Sequence, residues 1–132
     1  MTIHLKIIGI LLILLSLIHL IFPKYFKWQQ DLKSMSLINR QMMYVHTFFI
    51  GLTLFLMGLF CFLFSEDIVS TKLGKVVSLG FAIFWFMRLL FQFFVYSKEH
   101  WYRKRLETSI HIIFIGLWSY MTFVFFMAFY ID

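Results

Sequence analysis

Charge is scarce in this chain, and so are proline, cysteine and glycine: one Pro, one Cys and six Gly among 132 residues. Each shortage excludes something. Charged residues make up 14%, against about 25% in a typical soluble protein. Hydrophobic residues reach 62% and aromatics 22%, more apolar surface than a soluble chain of this length can hide in one core. A soluble enzyme, a secreted disulfide scaffold and a disordered tail are all excluded. The lone Cys61 lies in an apolar run and has no second cysteine to pair with. Thiol–disulfide membrane oxidoreductases need such pairs. Acids are scarcer than bases, six Asp and Glu against twelve Lys and Arg. None of them interrupts the apolar runs, which excludes small exchangers built on a membrane-buried carboxylate.

What the chain does have is long apolar runs. A spanning helix needs roughly 20 mainly apolar residues, and four such runs occur, at about 3–22, 42–64, 73–95 and 108–131. The expected fold class is all-α: a polytopic membrane protein forming an antiparallel four-transmembrane-helix bundle, one domain over residues 1–132. β-Barrel strands would alternate apolar and polar residues over short stretches, and these runs do not. The first run is followed by His19-Leu20-Ile21-Phe22-Pro23-Lys24 with no small-residue cleavage site, so it reads as a retained helix rather than a signal peptide.

The basic residues sit between the runs. The first loop carries Lys24, Lys27, Lys33 and Arg40, and the third carries Lys98, Arg103, Lys104 and Arg105. The opposite side has only Lys6, Lys72 and Lys75. The positive-inside rule then places the first and third loops in the cytoplasm and both termini outside. The net charge of +6 reads as topology and contact with anionic lipid, not as a nucleic-acid surface. In the first loop Tyr25, Trp28, Leu32 and Met35 recur at helical spacing, which predicts a short interfacial helix. Trp101 and Tyr102 beside Arg103-Lys104-Arg105 form an aromatic belt at headgroup level. In the short acidic second loop, residues 65–71, Ser70 or Thr71 is a candidate cap for the third helix. Gly51 and Gly58 share a face and suit close packing.

The costly polar residues inside the runs are not scattered. His19, His46, Gln92 and His111 each lie four residues from a helix end, about 6 Å inside it, and Arg88 lies one turn deeper at about 12 Å. With helices one and three ending at the cytoplasm and helices two and four beginning there, all five fall in the cytoplasmic half. Arg88 and Gln92 share a face at i,i+4, as do Glu107, His111 and Trp118. The Cα–Cβ bond of Arg88 leans deeper into the bilayer, so its charge needs a partner within the protein. Glu107 is the candidate, either for Arg88 or to orient His111.

As structure, this layer is a polar plug that sets the register of helices which hydrophobicity cannot drive together in lipid. As function, His19, His46 and His111 are candidate metal ligands for zinc or copper. Two histidines on different helices are candidate axial ligands for haem b. The set His19, His46, Arg88, Gln92 and His111 offers hydrogen bonds to a quinone. Phe81, Phe84 and Trp85 beside Arg88, and Phe91, Phe93 and Phe94 around Gln92, read as bundle-filling rings or as walls of a slot for a planar ring or an acyl chain. Multi-haem four-helix cytochromes need two histidine layers and membrane di-iron hydroxylases many more histidines. No Ser/His/Asp or Cys/His arrangement is present.

Asn39-Arg40-Gln41 with Tyr44-Val45-His46, Phe84-Trp85 with Arg88-Leu89-Leu90 and Gln92-Phe93-Phe94, and His111 with Trp118 and Tyr120 resemble a family of small four-helix bacterial membrane proteins to which no activity attaches. The resemblance spans most of the chain and implies a bacterial cytoplasmic (inner) membrane. No residue roles carry over from it.

Three functional readings stand at this level. The leading one is a small membrane subunit or accessory protein of a complex, with other membrane subunits or further copies of itself as partners. The others are a redox module holding haem, metal or quinone, and an oligomeric small transporter. The orientation is directly testable. A reporter active only in the periplasm is expected to work when fused after Asp132 or within residues 66–71, and to fail within residues 27–34 or 101–105. Activity from the first loop would reverse the orientation and move the polar layer to the outer leaflet.

Overall fold

The computed structural model describes residues 1–25, 30, 33–94 and 105–131, with side chains of 22–25 and 105–107 outside the description. The described residues are helical and contain no strand. We name the helices α1 (Thr2–Tyr25), α2 (Leu37–Leu63), α3 (Ser65–Ser70), α4 (Lys72–Phe94) and α5 (Arg105–Tyr130). Four stretches are long and apolar enough to cross a membrane: Thr2–Ile21, Leu37–Leu63, Lys72–Phe94 and Thr108–Tyr130. The predicted interfacial helix and the aromatic belt fall mostly on residues outside the description.

The helix ends differ from the ends of the apolar runs, for local reasons. α2 begins at Leu37, five residues before the expected start near 42. Ser36, in an extended conformation, accepts a hydrogen bond from the Asn39 N–H at 3.4 Å, which is an N-cap. Asn39, Arg40 and Gln41 therefore belong to the helix and not to a loop, and His46 lies about 13 Å along it from Leu37. The segment expected as the second loop is mostly α3, with Glu66 and Asp67 in its first turn, where the helix dipole favours acids.

The joint between α3 and α4 is built on one hydroxyl. Thr71 Oγ1 donates to the Asp67 carbonyl at 2.7 Å and accepts from the Gly74 N–H at 2.9 Å. Thr71 is thus the cap of α4, one of the two candidates from the sequence. A Cβ at Gly74 would collide with the Asp67 carbonyl oxygen and stand 2.6 Å from Ile68 Cα. Only glycine lets α4 start this close to the α3 backbone.

The chain divides into two compact units: Leu5–Ser65, and Met1–His4 with Glu66–Asp132. In the first, α1 buries Leu5, Ile8, Leu12 and Leu15, and α2 buries Gly51, Leu54, Gly58 and Cys61, stripes at helical period. A Cβ on Gly9 would lie 2.7 Å from the Gly58 carbonyl oxygen, and one on Gly58 would lie 2.7 Å from that of Gly9. A Cβ on Gly51 would meet the Ser16 carbonyl oxygen and His19 Cβ, both at 3.4 Å. Gly9 opposite Gly58 and Ser16 opposite Gly51 make the pair antiparallel. Small residues bring these backbones together, as lipid-embedded helices require.

In the second unit α4 and α5 pair along their length, also antiparallel. Ser78 Oγ donates to the Phe125 carbonyl at 2.7 Å. The Phe81 and Phe125 rings meet edge to face at 5.2 Å. Ser78, Ala82, Trp85 and Gln92 are buried on α4, and His111, Trp118, Met121, Phe125 and Ala128 on α5. Other hydroxyls bond back into their own helix, as Thr53 does to Phe49 and Thr122 to Trp118, the usual solution away from water. Ser78 instead ties two helices.

The glycines separate into two classes with opposite expectations. Gly9→Ala and Gly74→Ala are expected to lower the unfolding free energy by about 1–3 kcal/mol each, because backbone atoms must move. Gly80 and Gly116 have nothing within 4 Å of an added Cβ. Alanine there should be neutral or stabilising by up to about 1 kcal/mol through helix propensity. Denaturant titration of the four variants in mixed micelles checks the ranking.

Candidate functional site

Three of the five candidate residues stand on one hairpin. Trp85, Arg88 and Gln92 follow one another at i, i+3 and i+7 on α4, and His111, Phe114 and Trp118 do the same on α5. Antiparallel pairing sets Gln92 beside His111 and Trp85 beside Trp118. Gln92 Nε2 lies 2.7 Å from His111 Nδ1, and Trp118 Nε1 lies 3.4 Å from Gln92 Oε1. Gln92 is 4% and His111 8% exposed.

The bonding chemistry assigns the protons. An indole N–H can only donate, so it faces the amide oxygen of Gln92. The amide nitrogen then donates to His111, whose Nδ1 is the acceptor. The neutral imidazole consequently carries its proton on Nε2. One glutamine thus joins an indole and an imidazole from the facing helix with both ends of its amide in use.

The rings around this bridge form a layered stack. Trp85 lies on Trp118 with centroids 4.9 Å apart and planes 15° from parallel, and Phe114 stacks on Trp118 at 5.3 Å and 19°. Arg88 Cζ stands 5.4 Å from the Trp118 ring centroid, within the range of a cation–π contact. Trp118 therefore receives the Arg88 charge on its π-system while its N–H serves Gln92. Trp85 is 2% exposed, and its Nε1 has no hydrogen-bond partner among the described residues.

His19 and His46 belong to the α1–α2 unit. His19 Nδ1 donates to the Leu15 carbonyl at 2.9 Å, a bond within its own helix. His46 is exposed on α2. Among the described residues, no three His, Cys, Asp or Glu side chains are grouped to hold a metal ion, so the metal triad His19, His46 and His111 gains no support there. The expected partnership of Glu107 with Arg88 or His111 concerns a side chain outside the description.

Sequence reasoning placed Trp85 beside Arg88, as a bundle-filling ring or as a wall of a slot, and Trp118 on the face of Glu107 and His111. It gave neither indole N–H a part in the site. His4, which the sequence leaves without a role, pairs with Tyr120: His4 Nδ1 is 2.9 Å from the phenol oxygen, and the rings meet edge to face at 6.0 Å. Nothing in the local sequence signals a contact across that separation.

No protein-family model, curated protein or solved structure matches the chain.

The network makes a quantitative expectation. Gln92→Leu and His111→Leu should each destabilise by about 1–3 kcal/mol, because each leaves a buried group without its partner. The double variant should cost less than the sum, with a coupling of about 0.5–2 kcal/mol. His46→Leu, at an exposed position, should be nearly neutral. A double-mutant cycle on unfolding in micelles measures all three.

Proposed function

We propose that this chain is a small multi-pass protein of the bacterial cytoplasmic membrane that serves as an accessory subunit of a membrane complex. Its working part is the polar and aromatic site on the α4–α5 hairpin. The observation that carries this reading is the Gln92–His111 hydrogen bond at 2.7 Å with Trp118 and Arg88 arranged about it. A charged arginine and a neutral amide–imidazole–indole bridge are more than two apolar helices need in order to pair. Ser78 and the ring contacts already hold the hairpin along its length.

In this reading the helices form a four-helix bundle with both termini outside and the basic loops facing the cytoplasm and its anionic lipids. The cation bias between loops supports that orientation. The resemblance to small four-helix bacterial membrane proteins supports the location. Arg88 is the residue on which function turns. Its guanidinium has a fixed fork of donors and a permanent charge, which lysine does not reproduce. A group at this depth is expensive to keep unless it is used.

The test combines assembly and function. The chain, tagged at its chromosomal locus and extracted in a mild detergent, is expected to migrate in a species well above its own 16.0 kDa and to bring other polytopic proteins with it. Arg88→Leu should keep normal abundance yet fail to complement a deletion phenotype, and Arg88→Lys should complement only in part. A solitary chain together with full complementation by Arg88→Leu would overturn the subunit reading and leave the cluster as a structural plug.

A further inference from the structure

The seam between α4 and α5 has a simple ledger of polar groups. Ser78, Trp85 and Gln92 recur every seven residues on α4, all buried, opposite Phe125, Trp118 and His111. The Ser78 hydroxyl is matched by the Phe125 carbonyl. Both ends of the Gln92 amide are matched, by His111 and Trp118. The Trp118 N–H is therefore matched as well. Trp85 Nε1 is the exception, buried and without a partner among the described residues.

In water such a donor would be solvated. At the level of lipid tails there is no water to take it, and a buried unmatched donor is costly. Neither Lys72–Phe94 nor Thr108–Tyr130 contains an Asp or Glu, so no carboxylate of the hairpin's spans can serve. Helix carbonyls do accept side-chain donors in this seam, as Phe125 does from Ser78, yet no carbonyl among the described residues takes the Trp85 N–H. An acceptor for it therefore comes from beyond the described residues. Its chemistry follows from the donor: a neutral indole N–H calls for an oxygen with lone pairs. Arg88, one turn further along the same helix, also carries donors and no acceptor. Among molecules dissolved in a bilayer, quinone rings carry carbonyl oxygens, and acyl esters carry theirs at the edge of the hydrocarbon core.

We propose that the α4–α5 hairpin binds the carbonyl oxygen of a membrane-dissolved ligand, with Trp85 Nε1 as the hydrogen-bond donor and Arg88 as the neighbouring cation. The stacked rings of Trp85, Trp118 and Phe114 form the aromatic side of the site. This deepens the reading of the hairpin as the working part and rests on it. It also gives Trp85 a binding role that its neighbours in the stack do not share.

The indole N–H resonance reports hydrogen bonding directly, so the experiment reads it. Protein labelled with ¹⁵N-tryptophan is purified free of lipid in an alkyl maltoside, which has no carbonyl. The four indole signals are assigned by the loss of one in Trp85→Phe, or by elimination from Trp28→Phe, Trp101→Phe and Trp118→Phe if the first does not fold. Decyl-benzoquinone and a diacyl phospholipid are titrated separately. The Trp85 signal is expected to move downfield saturably with at least one of them, and Trp85→Phe to weaken that binding by about tenfold. A response to the quinone alone assigns a quinone site, and a response to the phospholipid alone assigns an acyl-ester site. A response to both confirms carbonyl recognition shared between the two. A Trp85 signal unmoved by either, or unchanged affinity in Trp85→Phe, overturns the proposal. If that happens while the chain still isolates with partner proteins, the carbonyl site falls and the subunit reading stands. Loss of the complex with a responding Trp85 gives the reverse.

Discussion

Hydrogen bonds that water would otherwise supply have to be found inside a chain that lives among lipid tails, and this requirement organises the molecule. It explains why the described segments are helical, since a helix satisfies its own backbone. It explains why Thr53 and Thr122 turn their hydroxyls onto the preceding turn. It explains why the amide of Gln92 uses both its ends. Helix association in lipid gains little from hydrophobicity, so the few polar groups and the few glycines carry disproportionate weight in choosing which faces meet.

The two units answer this requirement differently. Between α1 and α2 the solution is steric: glycines allow the backbones to approach until carbonyl oxygens stand where side chains would be. Between α4 and α5 the solution is chemical: serine, glutamine, histidine and tryptophan bridge the seam, with aromatic rings filling the remaining space. A steric contact is indifferent to what dissolves nearby. A polar seam can be read by a ligand, because its donors and acceptors can be exchanged for those of another molecule.

Much of this was legible in the sequence, and the gaps have physical causes. The four apolar stretches were plain, since a run of about twenty mainly apolar residues matches the thickness of a bilayer's hydrocarbon core. Arg88, Gln92 and His111 stood out because polar side chains are expensive at that depth. The start of α2 was not legible, because Asn39-Arg40-Gln41 is polar and hydropathy alone assigns it to a loop, whereas the Ser36 cap and the apolar Leu37 and Ile38 carry it into the helix. α3 was hidden by its brevity. Trp118 was placed on the His111 face, but its single polar atom, the one that meets Gln92, vanishes in any scale that counts the residue as apolar. The contact of His4 with Tyr120 is purely tertiary and leaves no local trace.

The meeting of Gly9 and Gly58 has a consequence for how the sequence can drift. In most packed cores a larger residue on one side is accommodated by a smaller one on the other. Here each glycine faces the other's carbonyl oxygen at the same 2.7 Å, and neither position has a side chain left to give up. An enlargement at one site has no reciprocal reduction at the other, so the usual compensated pathway through sequence space is closed. Lineages that lose either glycine must re-seat α1 on α2 along a new line of contact, or keep both.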